Sequence, residues 1–210
     1  MPIFQGLLMA VAALLAAQAT VHHFDEDAIG QPPPGFTLSA GRNASPGRWT
    51  VERDGTSRIL VHAGTPAEAG GFSVAIFDGE RLDNAEISVR IKATGGSRTG
   101  GIVWRYQDAL NYYAVQLNLA GQELSVYRVV RGNRIRLERE DDLELDPDAW
   151  HSLRVVQDGD SMRVYLGGIR VFGDRDRSAR EPGSAGLWAS GDAMVSFDDF
   201  RAGLRADRRR

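Results

Sequence analysis

The sequence predicts an all-β protein, a two-sheet antiparallel β-sandwich of the jelly-roll kind, and three observations predict it. Short runs rich in Val, Ile and aromatic residues recur along most of the chain, usually bounded by Gly, Pro, Asn or Asp. Several of these runs alternate apolar with polar residues, the period of a strand with one buried face. Beyond the first 19 residues no segment keeps a convincing helical period. Many strands without helices between them pack as a sandwich or a barrel.

Leu7 to Ala19 read "LLMAVAALLAAQA", an apolar run too short to span a bilayer comfortably, ending in small residues of the kind a signal peptidase reads. Residues 1–19 are therefore expected to be an exported protein's leader, a hydrophobic helix, with a retained membrane anchor as the alternative. "MPIFQG" departs from the usual pattern in carrying no Lys or Arg. The expected destination is the periplasm or the exterior. "QPPPGF" follows as a stiff entry loop, since three prolines cannot donate to a ladder.

Strands are expected at "RWTVER", "RILVHA", "FSVAIF", "AEISVRIKA", "GGIVWRY", "YYAVQLNL", "ELSVYRVV", "RIRLERE", "HSLRVVQD", "SMRVYLGG", "GSAGLWAS" and "MVSFDDF". Alternation directs Ile87, Val89 and Ile91 one way and Glu86, Ser88, Arg90 and Lys92 the other. Glycines in "LAGQE" and "QDGDSM" mark hairpin turns. One domain over residues 22–203 is expected, closed by a basic, disordered tail over 204–210.

Composition limits the function classes. Apolar residues make 42% of the chain and charged residues 25%, enough for a real core. The absence of cysteine removes disulfides, thiol catalysis and Cys-based zinc sites. Net charge is −3 and no basic run is interleaved with aromatics, so no nucleic-acid partner is expected. No membrane partner is expected for the mature domain unless the leader is retained.

The densest chemistry lies in "GGIVWRYQDALNYYAVQLN". As a hairpin it would bury Ile102, Trp104, Val115 and Leu117 between the sheets and put Arg105, Tyr112, Gln116 and Asn118 on an open face. Aromatic rings stack on sugar C–H faces, while amides and guanidinium groups bond hydroxyls. Tyr127 would extend that surface and Trp188 is a further platform, with a core position as its rival. Glu140, Asp142 and Glu144 alternate and would share one side of a strand, offering paired carboxylates for glycoside hydrolysis. Leu143 and Leu145 also make that run an edge strand with a charged outer face. Asp198 and Asp199, with Asp25, are hard oxygen donors suited to a structural calcium, although no EF-hand-like loop is present. No cofactor is otherwise required. The four histidines show no metal-ligand spacing.

The order "FDED…PPPGF", "AEISVRIKA", "GGIVWRYQDALNYYAVQLN", "DAWHSLRVVQDGDSMRVYLGG" and "GSAGLWASGDAMVSFDDFRA" resembles the concanavalin A-like lectin/glucanase superfamily. It is most similar to exported bacterial proteins of the laminin-G-like and 3-keto-disaccharide-hydrolase (DUF1080-like) type, over about residues 24–203. The resemblance implies a jelly roll with a concave face that often binds carbohydrate. The Glu140–Glu144 run also resembles the E-x-D-x-E arrangement of laminarinase-type glycosidases. It departs from it at Asp141, where that motif prefers an apolar residue. The resulting expectation is a carbohydrate-binding module for a glycan or polysaccharide, not an enzyme. A glycoside-cleaving enzyme of the same fold and a structural or interaction module of the envelope are its rivals.

Overall fold

The computed structural model describes residues 20–41, 46–65, 70–178 and 181–205. Among them fifteen strands and no helix occur: β1 Thr20–His22, β2 Phe36–Ala40, β3 Arg48–Asp54, β4 Ser57–Ala63, β5 Phe72–Phe77, β6 Ala85–Gly95, β7 Thr99–Asp108, β8 Asn111–Asn118, β9 Glu123–Val130, β10 Asn133–Glu140, β11 His151–Asp158, β12 Ser161–Leu166, β13 Ile169–Arg175, β14 Ser184–Ser190 and β15 Met194–Leu204. They form two antiparallel sheets. One runs β13-β12-β11-β6-β15-β4-β3, with β1 paired to β15; the other runs β10-β9-β8-β7-β14-β5-β2. The chain is an all-β, two-sheet antiparallel sandwich, as the strand spacing predicts.

The core lies between the sheets, and alternation decides who enters it. Ile87, Val89 and Ile91 of β6 meet Ile102, Trp104, Val115 and Leu117 of β7 and β8 in one cluster. Trp104 stacks on Tyr113 and donates its indole N–H to Gln157 Oε1 at 3.0 Å, so its polar atom is satisfied in the interior. The inner side of β7 begins with Gly100, where an added Cβ would come within 2.8–3.2 Å of Val195, Ile91 and Phe197. A bare backbone there lets the two layers close on each other.

The expected leader, residues 1–19, lies outside the described residues, as do residues 206–210 of the expected tail. The beginning of that tail is ordered instead. β15 runs to Leu204, and Arg205 donates its backbone N–H to Asn84 O and bonds the Asp158 carboxylate. Three strands escaped the sequence reading: β1 has only three residues, β2 follows the proline loop directly, and β13 exposes Ile169 and Arg170 at its start. None shows an alternating run long enough to register.

Candidate functional site

The seven-stranded sheet buries aromatic residues on its outward side as well. Phe72 (β5), Tyr106 (β7), Tyr112 (β8) and Trp188 (β14) pack there with Val74, Ile76, Val103, Ala114 and Val129. Phe72 stacks on Trp188 with centroids 6.3 Å apart, and its ring lies 5.7 Å from that of Tyr112. A second apolar cluster on an outward sheet face is a feature of binding surfaces rather than of a solvated sheet. Trp188, assigned in the sequence between a platform and the core, belongs to this outer cluster and not to the inter-sheet core.

A cleft of about 610 Å³ opens over this floor. β5 and the residues before it supply Gly70, Gly71 and Phe72; β14 supplies Trp188 and Ser190; Tyr112 and Gln116 form the middle; and the β9–β10 hairpin closes the far wall with Val129, Arg131, Gly132, Asn133 and Arg134. The volume is in the range of small-molecule sites. A smaller hollow of about 160 Å³ adjoins it across Tyr112 and Val129, bordered by Asn111, Ser178 and Glu181 among others.

The hairpin wall is built stiffly. Arg131 and Gly132 form a two-residue turn with φ of +52° and +79°, the primed geometry that matches strand twist. An arginine in the left-handed region carries a backbone cost that Asn or Gly would largely avoid. The turn is braced by its neighbour: Asn111 Oδ1 accepts the Arg131 N–H at 3.0 Å, and Leu110 O accepts that of Gly132 at 2.9 Å. Asp108 in turn holds Leu110 and Asn111. Arg134 bonds Gln116 Oε1, and its guanidinium carbon lies 3.7 Å from the centre of the Tyr127 ring. Sequence reasoning passed over Phe72 and Arg134 and put Tyr106 on the inner face with Trp104; Arg131, sharing a parity with Tyr127, was expected with it as an extension of the open surface. The "VRGN" turn beside "ALN" was the available signal.

Burial pushes the Tyr112 phenol up to about 12, against the opposing pull of Arg134 and Trp188. At neutral pH it is therefore a protonated hydroxyl, a donor. The Trp188 indole N–H is buried and acts on the Tyr112 hydroxyl.

The structure brings together Tyr112, Gln116, Trp188 and, at the rim, Tyr127. Arg105 is not with them. A β-bulge interrupts β7, whose pairing with β8 jumps from Trp104↔Tyr113 to Asp108↔Asn111, and Arg105 sits in it at φ +46°. Strict alternation would have sent Arg105 outward and Tyr106 inward; the extra residue reverses both. Arg105 is 5% exposed and clamps loops at the sandwich end, donating to Glu181 O, Asp83 O, Asp83 Oδ1 and Gly159 O at 2.9–3.1 Å. Asn118 is a turn residue: its Oδ1 accepts the Gly121 N–H at 2.8 Å, and it does not line the cleft.

The carboxylates lie elsewhere too. β10 ends at Glu140, and Asp142 and Glu144 follow off the ladder with φ of +57° and +51°. They thus do not share a strand face with Glu140. Leu143 and Leu145 pack on the core while Gln122 bonds both backbone N–H groups, which leaves the acids at the rim. Asp198 and Asp199 lie on the outward side of the other sheet. Asp198 Oδ1 accepts the Asp199 N–H and Oδ2 faces Arg90; Asp199 faces His23; and Asp25 Oδ1 accepts the Arg58 N–H. No group of three or more His, Asp or Glu side chains is placed to hold a metal ion among the described residues.

With this geometry in view, residues 35–202 match the family described as the 3-keto-alpha-glucoside-1,2-lyase-like domain. The chain belongs to that family. Among curated proteins none matches. Solved structures with the same fold include the carbohydrate-binding module CBM66 from Bacillus subtilis, at 17% identity, covering 78% of this chain and 92% of that one with a TM-score of 0.58. A glycosyl hydrolase family protein from Mycobacterium fortuitum matches at 16% identity over 88% of this chain and 98% of that one, TM-score 0.58. The GH43 protein BlXynB from Bacillus licheniformis, as its K247S mutant, matches at 20% identity and TM-score 0.60; 88% of this chain is covered but only 39% of that chain. The fold is one shared by carbohydrate-binding modules and domains of glycoside hydrolases. The sequence-based preference for a non-enzyme is overturned here, by a family described by a lyase activity and by fold relatives that include glycoside hydrolases. Among the described residues no helix is long and apolar enough to cross a membrane.

Proposed function

We propose that this is an exported glycan-cleaving enzyme whose substrate lies in the cleft over the seven-stranded sheet. The observation that carries this reading is the cleft itself: an aromatic floor, hydrogen-bonding side chains on three strands, and a braced wall. Its chemistry favours elimination over hydrolysis by a carboxylate pair. No Asp or Glu lines the cleft among the described residues, and Glu181 alone borders the adjoining hollow. A two-carboxylate mechanism needs two such groups flanking one bond.

A 1,2-elimination from a 3-keto glucoside makes lighter demands. The ketone acidifies the C2 proton, so one base suffices. As C2–H breaks, its electron pair forms the C1=C2 double bond and the C1–O bond departs, its oxygen taking a proton. In this reading Glu181 is the proton acceptor, and Tyr112, held protonated by burial, supplies the proton to the leaving oxygen. Gln116 and Arg134 orient sugar oxygens beside it.

The product test is direct. A 3-keto-α-glucosyl disaccharide should give an enone, seen as a rise in ultraviolet absorbance together with release of the second sugar. The unoxidised disaccharide should give neither. Release of sugar without the enone would replace elimination by hydrolysis, and binding without turnover of either substrate would overturn the enzyme reading.

A further inference from the structure

The cleft carries charge of one sign. Arg131 and Arg134 line it and no Asp or Glu does so among the described residues, although the whole chain is acidic, with 28 Asp and Glu against 25 Lys and Arg. Several arginines outside the cleft are matched, Arg90, Arg105, Arg128 and Arg154 each standing 3.1–3.4 Å from a carboxylate. The Arg131 guanidinium has no such partner among the described residues, and Arg134 is held only by neutral groups, the Gln116 amide and the Tyr127 ring. The backbone holds Arg131 at φ +52°, a strained placement of the kind that recurs at functional sites. Two cations without a carboxylate partner in one acid-free cleft await an anion that brings its own oxygens.

We propose that the saccharide taken by this cleft is acidic, a uronate unit whose carboxylate is held by Arg131 and Arg134. This rests on the cleft being the saccharide site. The anionic sugar lies over the β9–β10 wall, leaving the neighbouring unit above Tyr112. A sulfated sugar presents the same oxyanion chemistry, and the test separates the two.

The full chain is applied to an array carrying glucuronate- and galacturonate-containing oligosaccharides, their carboxyl-reduced counterparts, and sulfated counterparts. Uronate members should bind about tenfold or more tightly than the reduced forms, and added salt should narrow the gap. Arg131→Gln with Arg134→Gln should erase the preference while the melting temperature stays close to that of the parent. Equal binding of reduced forms, a preference surviving the double variant, preference for sulfate, or no uronate binding at all would each overturn the inference. Ser190→Trp, which fills the opposite wall, separates this from the site assignment. Reduced forms that bind equally well but are lost in Ser190→Trp would sink the acidic-sugar inference alone. Uronate binding that survives Ser190→Trp would sink the cleft as well.

Discussion

The two outward faces of the sandwich use the same residue types to different ends. On the eight-stranded sheet, Arg90 faces Asp198 and Asp199 and lies 5.0 Å from the centre of the Trp150 ring; Arg154 faces Glu86 and lies 4.0 Å from that of Tyr165. These two cations each have an anion and a ring. Across the molecule the rings of Phe72, Tyr112 and Trp188 pack on each other, while Arg131 and Arg134 keep their charge. A self-satisfied face is a surface. The one with donors in hand and no acids is the proposed site.

The largest effect that would break this contrast is catalytic. Tyr112→Phe removes one hydroxyl from the cleft and should lower kcat about a hundredfold or more with little change in melting temperature. Tyr165→Phe on the opposite face should leave kcat alone. Steady-state kinetics on the 3-keto disaccharide reads both; an unaffected Tyr112→Phe enzyme would remove the tyrosine from the mechanism.

The next prediction concerns stability and reverses sign between the faces. Arg131→Asn relieves a left-handed arginine and should stabilise the fold by about 1 kcal/mol, while saccharide affinity falls. Arg90→Gln breaks an existing ion pair and should destabilise, by less than about 1 kcal/mol because the pair is partly exposed. Chemical denaturation of the two variants compares them. A destabilised Arg131→Asn would mean that the turn is not strained.

The smallest effect lies in pH. Burial raises the Asp176 carboxyl, but hydrogen bonds from Ser178 and Tyr113 and the Arg128 charge together outweigh it, so the group sits below its ordinary value. Its contribution is complete at neutral pH and is lost as pH falls from the ordinary carboxylate value through the depressed one. Asp198 goes the other way, raised first by burial, against the Asp199 N–H and Arg90. The folded state therefore binds its proton more tightly, and stability from this group increases as pH falls through its raised value. Melting curves at successive pH values should show Asp176→Asn less stable at neutral pH with a shallower acid loss. Asp198→Asn should steepen that loss. Parallel curves for parent and both variants would contradict these environments.

The fold was legible because alternation is a local property. The faces of β6 and β8 follow from reading every second residue, and Ile102, Trp104, Val115 and Leu117 lie in the core on that ground. The site was legible only in part. Tyr112 and Gln116 stand where period-two counting puts them, on one outward face, and Trp188, left open between platform and core, joins them there. Arg105 does not, since an extra residue in β7 is invisible to a rule that assumes an unbroken ladder. Glu140, Asp142 and Glu144 were taken as alternating, but left-handed backbone at Asp142 and Glu144 ends the strand pattern. Arg131 and Phe72 come to one cleft from hairpins separated in sequence, a neighbourhood that only the order of strands across the sheet creates.

The bulge at Arg105 also bears on how such a cleft can change over evolutionary time. At it, Tyr106 packs into the outer aromatic cluster and Arg105 locks the end of the sandwich, and both assignments hang on the count of residues between Trp104 and Asp108. Loss of one codon there would exchange the two roles at a stroke, turning an outer-cluster aromatic into core filler and a loop clamp into an outward charge. Point substitutions explore this surface one side chain at a time. At this position a change of length redraws it.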